Sequence, residues 1–250
     1  MSDIPQSKFL ILLPYFNRPN LVHNALGSIR DLQYDNFIVA GIDDGSTIPL
    51  SEIVEMHYYD LKDRIKLYRI NDTVQSKIDQ GGSQVGRYLN RAIAESGADL
   101  ILVLCDDDTL VPDVLTKANC WFNKDRDHST LCGFYHTIDY NPITQRPEMD
   151  LPVVGLHNYD VAVNGLCSLD IGQMVWRIEA CKKYGILFNY PQTAYLESHF
   201  FQRLFDVGGR AKFMGFVGQF KAMFPGMLSH RPDPYHNAEM REPILNWSIK

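Results

Sequence analysis

The sequence has no run of lysine or arginine, and its formal net charge is −6. A surface built to grip a nucleic-acid backbone is disfavoured on that ground, because phosphate neutralisation needs clustered cations. The five cysteines, Cys105, Cys120, Cys132, Cys167 and Cys181, are odd in number and show no CxxC spacing. That argues against a zinc or disulfide framework and for reduced thiols in a reducing compartment. Residues 1–8 are polar and lack a signal peptide's layout. The longest apolar runs, near residues 9–13 and 100–105, are far shorter than the roughly 20 residues that span a bilayer. A cytoplasmic location is the expectation. A GxGxxG fingerprint is missing, so Gly81-Gly82 does not announce a dinucleotide site. Repeats, low-complexity tracts and clear linkers are missing as well. One domain over residues 1–250 is the simplest expectation.

What is present is charge in an unusual place. Asp106-Asp107-Asp108 follows directly on the apolar run Leu100-Ile101-Leu102-Val103-Leu104-Cys105. Three carboxylates at the end of a buried strand repel one another unless a cation joins them. Mg²⁺ and Mn²⁺ favour such oxygen donors, usually with phosphate oxygens completing the shell. The triplet proposes metal-assisted chemistry on a phosphate-bearing substrate. Alone it reads equally well as a turn with a helix-capping acid.

The surrounding pattern strengthens the site reading. Residues 8–13 form a buried strand, and Pro19 suits the first position of a helix bearing Leu21, Val22, Ala25, Leu26 and Ile29 on one face. Residues 37–42 read as a second strand closed by the turn Asp43-Asp44-Gly45-Ser46, and residues 65–70 as a third. Gly81-Gly82 open a helix carrying Val85, Leu89, Ala92 and Ile93, and another helix runs from about Pro112 to Phe122. This alternation implies an α/β fold with a mostly parallel, Rossmann-like sheet and helices on both faces. Ligands of such sheets bind beyond the carboxyl ends of the strands. Residues 14–18, 43–46 and 106–108 all fall there. The second half is less regular. An extended pair is expected at 131–140 and 151–157, strands at 172–177 and 211–217, and a helix at 193–207 ended by Gly208-Gly209.

Four segments, taken together, resemble the GT-A fold glycosyltransferases of the family 2 type. They are Leu12-Leu13-Pro14-Tyr15-Phe16-Asn17-Arg18, Gly41-Ile42-Asp43-Asp44-Gly45-Ser46-Thr47, Leu89-Asn90-Arg91-Ala92-Ile93, and Leu104 through Pro112. The resemblance covers roughly residues 8–120. It implies a nucleotide-binding half (1–125) and a smaller, mixed acceptor-side half with a C-terminal tail (126–250). The donor it implies is a nucleotide diphosphate sugar, commonly a UDP-sugar. Pro14, Tyr15, Asn17, Arg18, Asp43 and Asp44 inherit contacts to base and ribose. The register of the acidic motif sets Asp106 towards the ribose and Asp107 on a Mn²⁺ or Mg²⁺ ion, with Asp108 either a second ligand or a supporting acid. Arg87, or Lys77, would add positive charge near the diphosphate.

Relatives carry a catalytic acid six residues before Arg-Leu. Here Glu197 stands six before Arg203-Leu204, although an Asp is usual and His199 replaces a common second acid. A late histidine often joins the metal or phosphates, and His230 and His236 both qualify. The implied reaction is inverting, metal-dependent transfer to an acceptor hydroxyl. A glycan or small molecule is favoured as acceptor, and a hydroxylated base in DNA is possible. Two other readings stay open: a nucleotidyltransferase, whose glycine-rich loop after the first strand is absent here, and a silent nucleotide-sugar-binding module.

Overall fold

The computed structural model describes residues 4–72, 74–124, 132–141, 146–147, 171–185, 188 and 211–222. Strand β1 (Phe9–Tyr15) lies at the heart of the sheet, parallel to β2 (Phe37–Asp43) on one side and β4 (Leu100–Val103) on the other. Strand β3 (Ile65–Arg69) continues the parallel set at its edge. The near-continuous apolar run of β1 follows from burial on both faces. Phe9, Ile11, Leu13 and Tyr15 point to one core, and Leu10 and Leu12 to the other. β1 extends through Pro14, beyond the expected end. Its ladder to β4 stops at Leu12, so the N–H that proline lacks falls outside the pairing.

Helices cover both faces. α1 (Pro19–Arg30) opens on proline as its sequence predicts and buries Val22, Ala25, Leu26 and Ile29 against the first core. α2 (Leu50–His57) joins it there. α3 (Val74–Asp79) is short and polar, and the sequence pattern does not announce it. α4 (Val85–Glu95) lays Leu89, Ala92 and Ile93 on the second core. Gly81-Gly82 do not open α4, as expected from sequence, but separate it from α3. Their φ values of 76° and 150° are not helical, and only glycine takes both without strain.

Past β4 the sheet becomes mixed. β5 (Thr109–Leu110) precedes α5 (Val114–Lys124), which starts two residues after Pro112. β6 (Cys132–Asn141), with its short partner β7 (Arg146–Pro147), lies between β8 (Met174–Arg177) and β9 (Ala211–Ala222). β8 runs antiparallel to both β4 and β6, and β9 is parallel to β6. The order is β3-β2-β1-β4-β8-β6-β9-β5. The expected strand at 172–177 is shortened by a 3-10 turn at Ile171–Gln173, and α6 (Ile178–Tyr184) follows β8 directly. β9 runs five residues beyond the expected 211–217. Residues 151–157 and 193–207 lie outside the described set. Among the described residues no helix is long and apolar enough to cross a membrane.

β9 owes its close fit on β6 to a glycine. A Cβ at Gly218 would stand 2.5 Å from the ring of Tyr135, a fully buried residue whose hydroxyl donates to the Gly172 carbonyl. Gly218→Ala should cost about 1–3 kcal/mol, towards the upper end, because the ring has no room to yield. Urea unfolding of the variant against the wild type reads this directly. An unchanged midpoint would show that the contact relaxes freely.

Candidate active site

The carboxyl ends of β1, β2 and β4 meet at one corner, stitched together by side chains. After β1, Tyr15 is buried and donates its hydroxyl to the Ile48 carbonyl at 3.0 Å. Burial, with Asp43 and Asp106 nearby, pushes this phenol up to about 12, so it stays a neutral donor. Asn17 takes the left-handed conformation at φ 50°, which asparagine tolerates better than most residues. Its N–H donates to Ser46 Oγ at 3.0 Å, and its Oδ1 accepts the Thr47 N–H at 2.8 Å. The first loop is thereby tied to the second.

After β2, the two aspartates do different work. Asp43 accepts three bonds: Oδ1 accepts the Ser46 N–H at 2.7 Å, and Oδ2 accepts the Leu50 N–H at 3.1 Å and Arg69 Nη1 at 2.7 Å. It shapes the turn and caps α2. Asp44 Oδ2 receives Lys77 Nζ at 2.8 Å and Ser83 Oγ at 2.9 Å, while its buried Oδ1 has no hydrogen-bond partner among the described residues. Burial raises the Asp44 carboxyl, and Lys77 pulls the other way. A buried acceptor left open costs free energy unless a ligand completes it. Gly45 (φ 79°) presses against residues 70–72; a Cβ there would meet the Ile70 and Asp72 carbonyl oxygens at 3.0 Å.

After β4, all three acids are buried, at 7%, 6% and 2% exposure for Asp106, Asp107 and Asp108. The Phe16 N–H donates to Asp106 Oδ2 at 3.1 Å. Arg18 Nη1 donates to Asp106 Oδ1 at 3.1 Å and to Asp107 Oδ2 at 2.6 Å. Burial would lower the Arg18 guanidinium, but Asp106 and Asp107 outweigh it and hold it firmly charged. Asp108 faces β9, where Oδ1 accepts the Ala222 N–H at 2.9 Å and Oδ2 accepts Gln219 Nε2. Ligand atoms of Cys105, Asp107 and Asp108 lie within 4.8 Å of one another. Arg18 pairs with two of the three carboxyl groups, Asp106 and Asp107. Within the cluster the carboxylate oxygens of Asp107 and Asp108 are the donors that fit a hard divalent cation, and the Cys105 sulfur is not.

Residues 10–185 match the sequence profile of glycosyl transferase family 2. The chain belongs to that family. Solved family-like structures share its fold at low identity. S. aureus TarS in complex with UDP-GlcNAc aligns with TM-score 0.67 at 19% identity, covering 97% of this chain and 68% of that one. A second crystal structure of S. aureus TarS 1-349 aligns with TM-score 0.62 at 17% identity over 86% of this chain and 60% of that one. The mannosyltransferase PcManGT from Pyrobaculum calidifontis, in complex with GDP-Man and Mn²⁺, gives TM-score 0.62 at 14% identity over 89% of this chain and 59% of that one. The chain thus spans about three-fifths to two-thirds of these solved chains, and 37% of a longer TarS chain. No curated protein sequence matches it.

Within this family 2 fold, Tyr15, Asn17, Arg18, Asp43, Asp44 and Asp106 to Asp108 come together at the corner, and Pro14 leads into it from β1. Arg18, which the resemblance assigns to base or ribose, bonds Asp106 and Asp107 of the acidic triplet. Arg87 is exposed in the first turn of α4, lining a cleft of about 370 Å³ with Arg69, Asn71, Asp72, Gln84 and Tyr88. Lys77 is buried against Asp44, its ammonium 4.2 Å from the Phe16 ring centroid. Glu197, His230 and His236 lie outside the described residues. Sequence reasoning missed Arg69, Ser83 and Gln219. Only Arg69 carries a signal, as a charged residue ending an apolar strand.

Asp106 gives this corner a pH dependence. Burial, opposed by Arg18 and reinforced by Asp107, pushes its carboxyl up from 3.8 to about 6. The fold therefore holds this proton more tightly than the unfolded chain does. Its stabilising contribution is complete below about 3.8 and is lost as pH rises through about 6. Between pH 5 and 7.5, in chelator, wild-type stability should fall relative to Asp106→Asn by about 1–2 kcal/mol. Parallel urea-unfolding stabilities at the two pH values would contradict this.

Proposed function

We propose that this chain is a metal-dependent, inverting glycosyltransferase that moves a sugar from a UDP-sugar to an acceptor hydroxyl. The carrying observation is the buried triplet Asp106–Asp108 at the end of β4, joined to the β1 loop through Phe16 and Arg18. Family membership and the fold shared with TarS and PcManGT support the reading. Residues 1–125 act as the donor half and 126–250 as the acceptor half of one domain.

The open Oδ1 of Asp44 suits an imide N–H of the base, and the Asn17 and Asp43 loops frame the ribose. Asp106 faces the ribose side, and Asp107 and Asp108 would hold Mn²⁺ or Mg²⁺, with His230 or His236 as a further donor. When bound, such an ion supplies Lewis-acid neutralisation of the departing diphosphate. Arg87 offers its guanidinium from the neighbouring cleft to the same charge. Glu197 takes the acceptor's proton, and attack on the anomeric carbon from the side opposite the diphosphate inverts its configuration. A glycan or small-molecule hydroxyl suits a chain of net charge −6 better than DNA.

Titration calorimetry with UDP, with and without Mn²⁺, paired with a donor-hydrolysis assay over a panel of nucleotide sugars, tests this. The reading predicts UDP binding at least about tenfold tighter with Mn²⁺, and slow hydrolysis of one donor. Nucleotide binding with no turnover on any donor or acceptor would make the chain a binding module. Absence of nucleotide binding would end the reading.

A further inference from the structure

Arg18 stands where two functions collide. Its Nη1 bonds both Asp106 and Asp107, residues 88 and 89 positions away in sequence. The side chain is 22% exposed, and the two carboxylates are 9% and 8% exposed. The backbone around it is set by the left-handed Asn17 on one side and the first residue of α1, Pro19, on the other. Nε and Nη2 donate to no described residue, so those N–H groups of the guanidinium are uncommitted.

We propose that Arg18 is a resident counter-ion of the acidic corner, which resists a divalent cation on its own and yields when a nucleoside diphosphate arrives with it. The proposal rests on the donor-site reading above. A guanidinium and a dication held by the same carboxylate repel each other across its width, and little water intervenes to screen them. A cation arriving alone must therefore either displace Arg18 or bind beside it, and both weaken its hold. A diphosphate changes the balance. It offers oxygens to the uncommitted N–H groups in the bidentate geometry that arginine favours. The guanidinium then has an anion of its own to turn towards, and Asp107 is left to the cation. Cation and nucleotide must each strengthen the other by the same factor. Arg18 thus makes the site selective for the pair over either part, which guards the corner against adventitious metal.

The test is Mn²⁺ binding in the absence of nucleotide, measured by the electron paramagnetic resonance of free Mn²⁺, for wild type, Arg18→Met and Arg18→Lys. Arg18→Met should bind Mn²⁺ at least about tenfold tighter than wild type, and the gain in Mn²⁺ affinity produced by UDP should shrink by a similar factor. Arg18→Lys, which keeps the charge, should stay weak for Mn²⁺ alone. Since Arg18→Met removes the cation that both buried acids share, its melting temperature should fall in chelator. Mn²⁺ should then restore it by more than it raises the wild type's, a readout available even for a poorly stable variant. A purely structural arginine would lower the melting temperature without raising Mn²⁺ affinity. Equal or weaker Mn²⁺ binding by Arg18→Met, with UDP still promoting Mn²⁺ binding in wild type, overturns the role of Arg18 alone. If wild type binds no Mn²⁺ even with UDP present, the donor-site reading fails and the proposal goes with it.

Discussion

Asp107→Asn is expected to lower sugar transfer by about 10²–10³-fold and to abolish the Mn²⁺-dependent gain in UDP affinity. Removing a single preorganised electrostatic contact to a developing charge costs rates of this order, and a metal ligand acts on the same charge. The amide keeps the volume and can still accept from Arg18, so the fold should survive. UDP affinity measured in chelator should change little, because the proposal gives the base and ribose to the β1 and β2 loops. The discriminating result is therefore a difference between two titrations, with and without Mn²⁺. A variant that still binds Mn²⁺ and UDP synergistically would move the ion away from this carboxylate. Asp108 provides the contrast. Its two oxygens are bonded to Gln219 and the Ala222 N–H, so a substitution there disturbs β9 as well as any ion.

Glu197→Gln carries the second large effect, a loss of turnover of about 10²–10⁴-fold. The neutral amide cannot accept the acceptor's proton, and the proposed role of residue 197 concerns the acceptor rather than the base or the diphosphate. Affinity for the donor with Mn²⁺ should remain within about twofold of wild type, since the contribution is made only in the transition state. Slow hydrolysis of the donor by water should fall in parallel with transfer. Near-normal turnover in this variant would remove Glu197 from the role and direct the search to other carboxyl groups of the second half.

The first half of the chain was legible because local rules and the fold agree there. The unbroken apolar runs of β1, β2 and β4 and the proline at the start of α1 each have one natural reading, and the structure adopts it. The carboxyl-end rule then brought the three loops together with no further information. What could not be read is long-range or too short to have a period. β5 has two residues and exists only as a partner for β9. α3 is a six-residue polar helix held by the Lys77–Asp44 pair, without an apolar stripe to mark it. The attachment of Asp108 to β9 joins residues 111 and 114 positions apart. Arg18 shows the limit most clearly. Its place after the first strand follows from sequence, but its bonds to Asp106 and Asp107, 88 and 89 positions away, do not.

The most direct test of the whole account is a crystal structure with Mn²⁺ and UDP, recorded at a wavelength where manganese scatters anomalously. The account predicts an anomalous peak bonded to Asp107, the diphosphate on that ion, and the uracil beside Asp44. A peak elsewhere, or a nucleotide bound away from the ends of β1, β2 and β4, would contradict it.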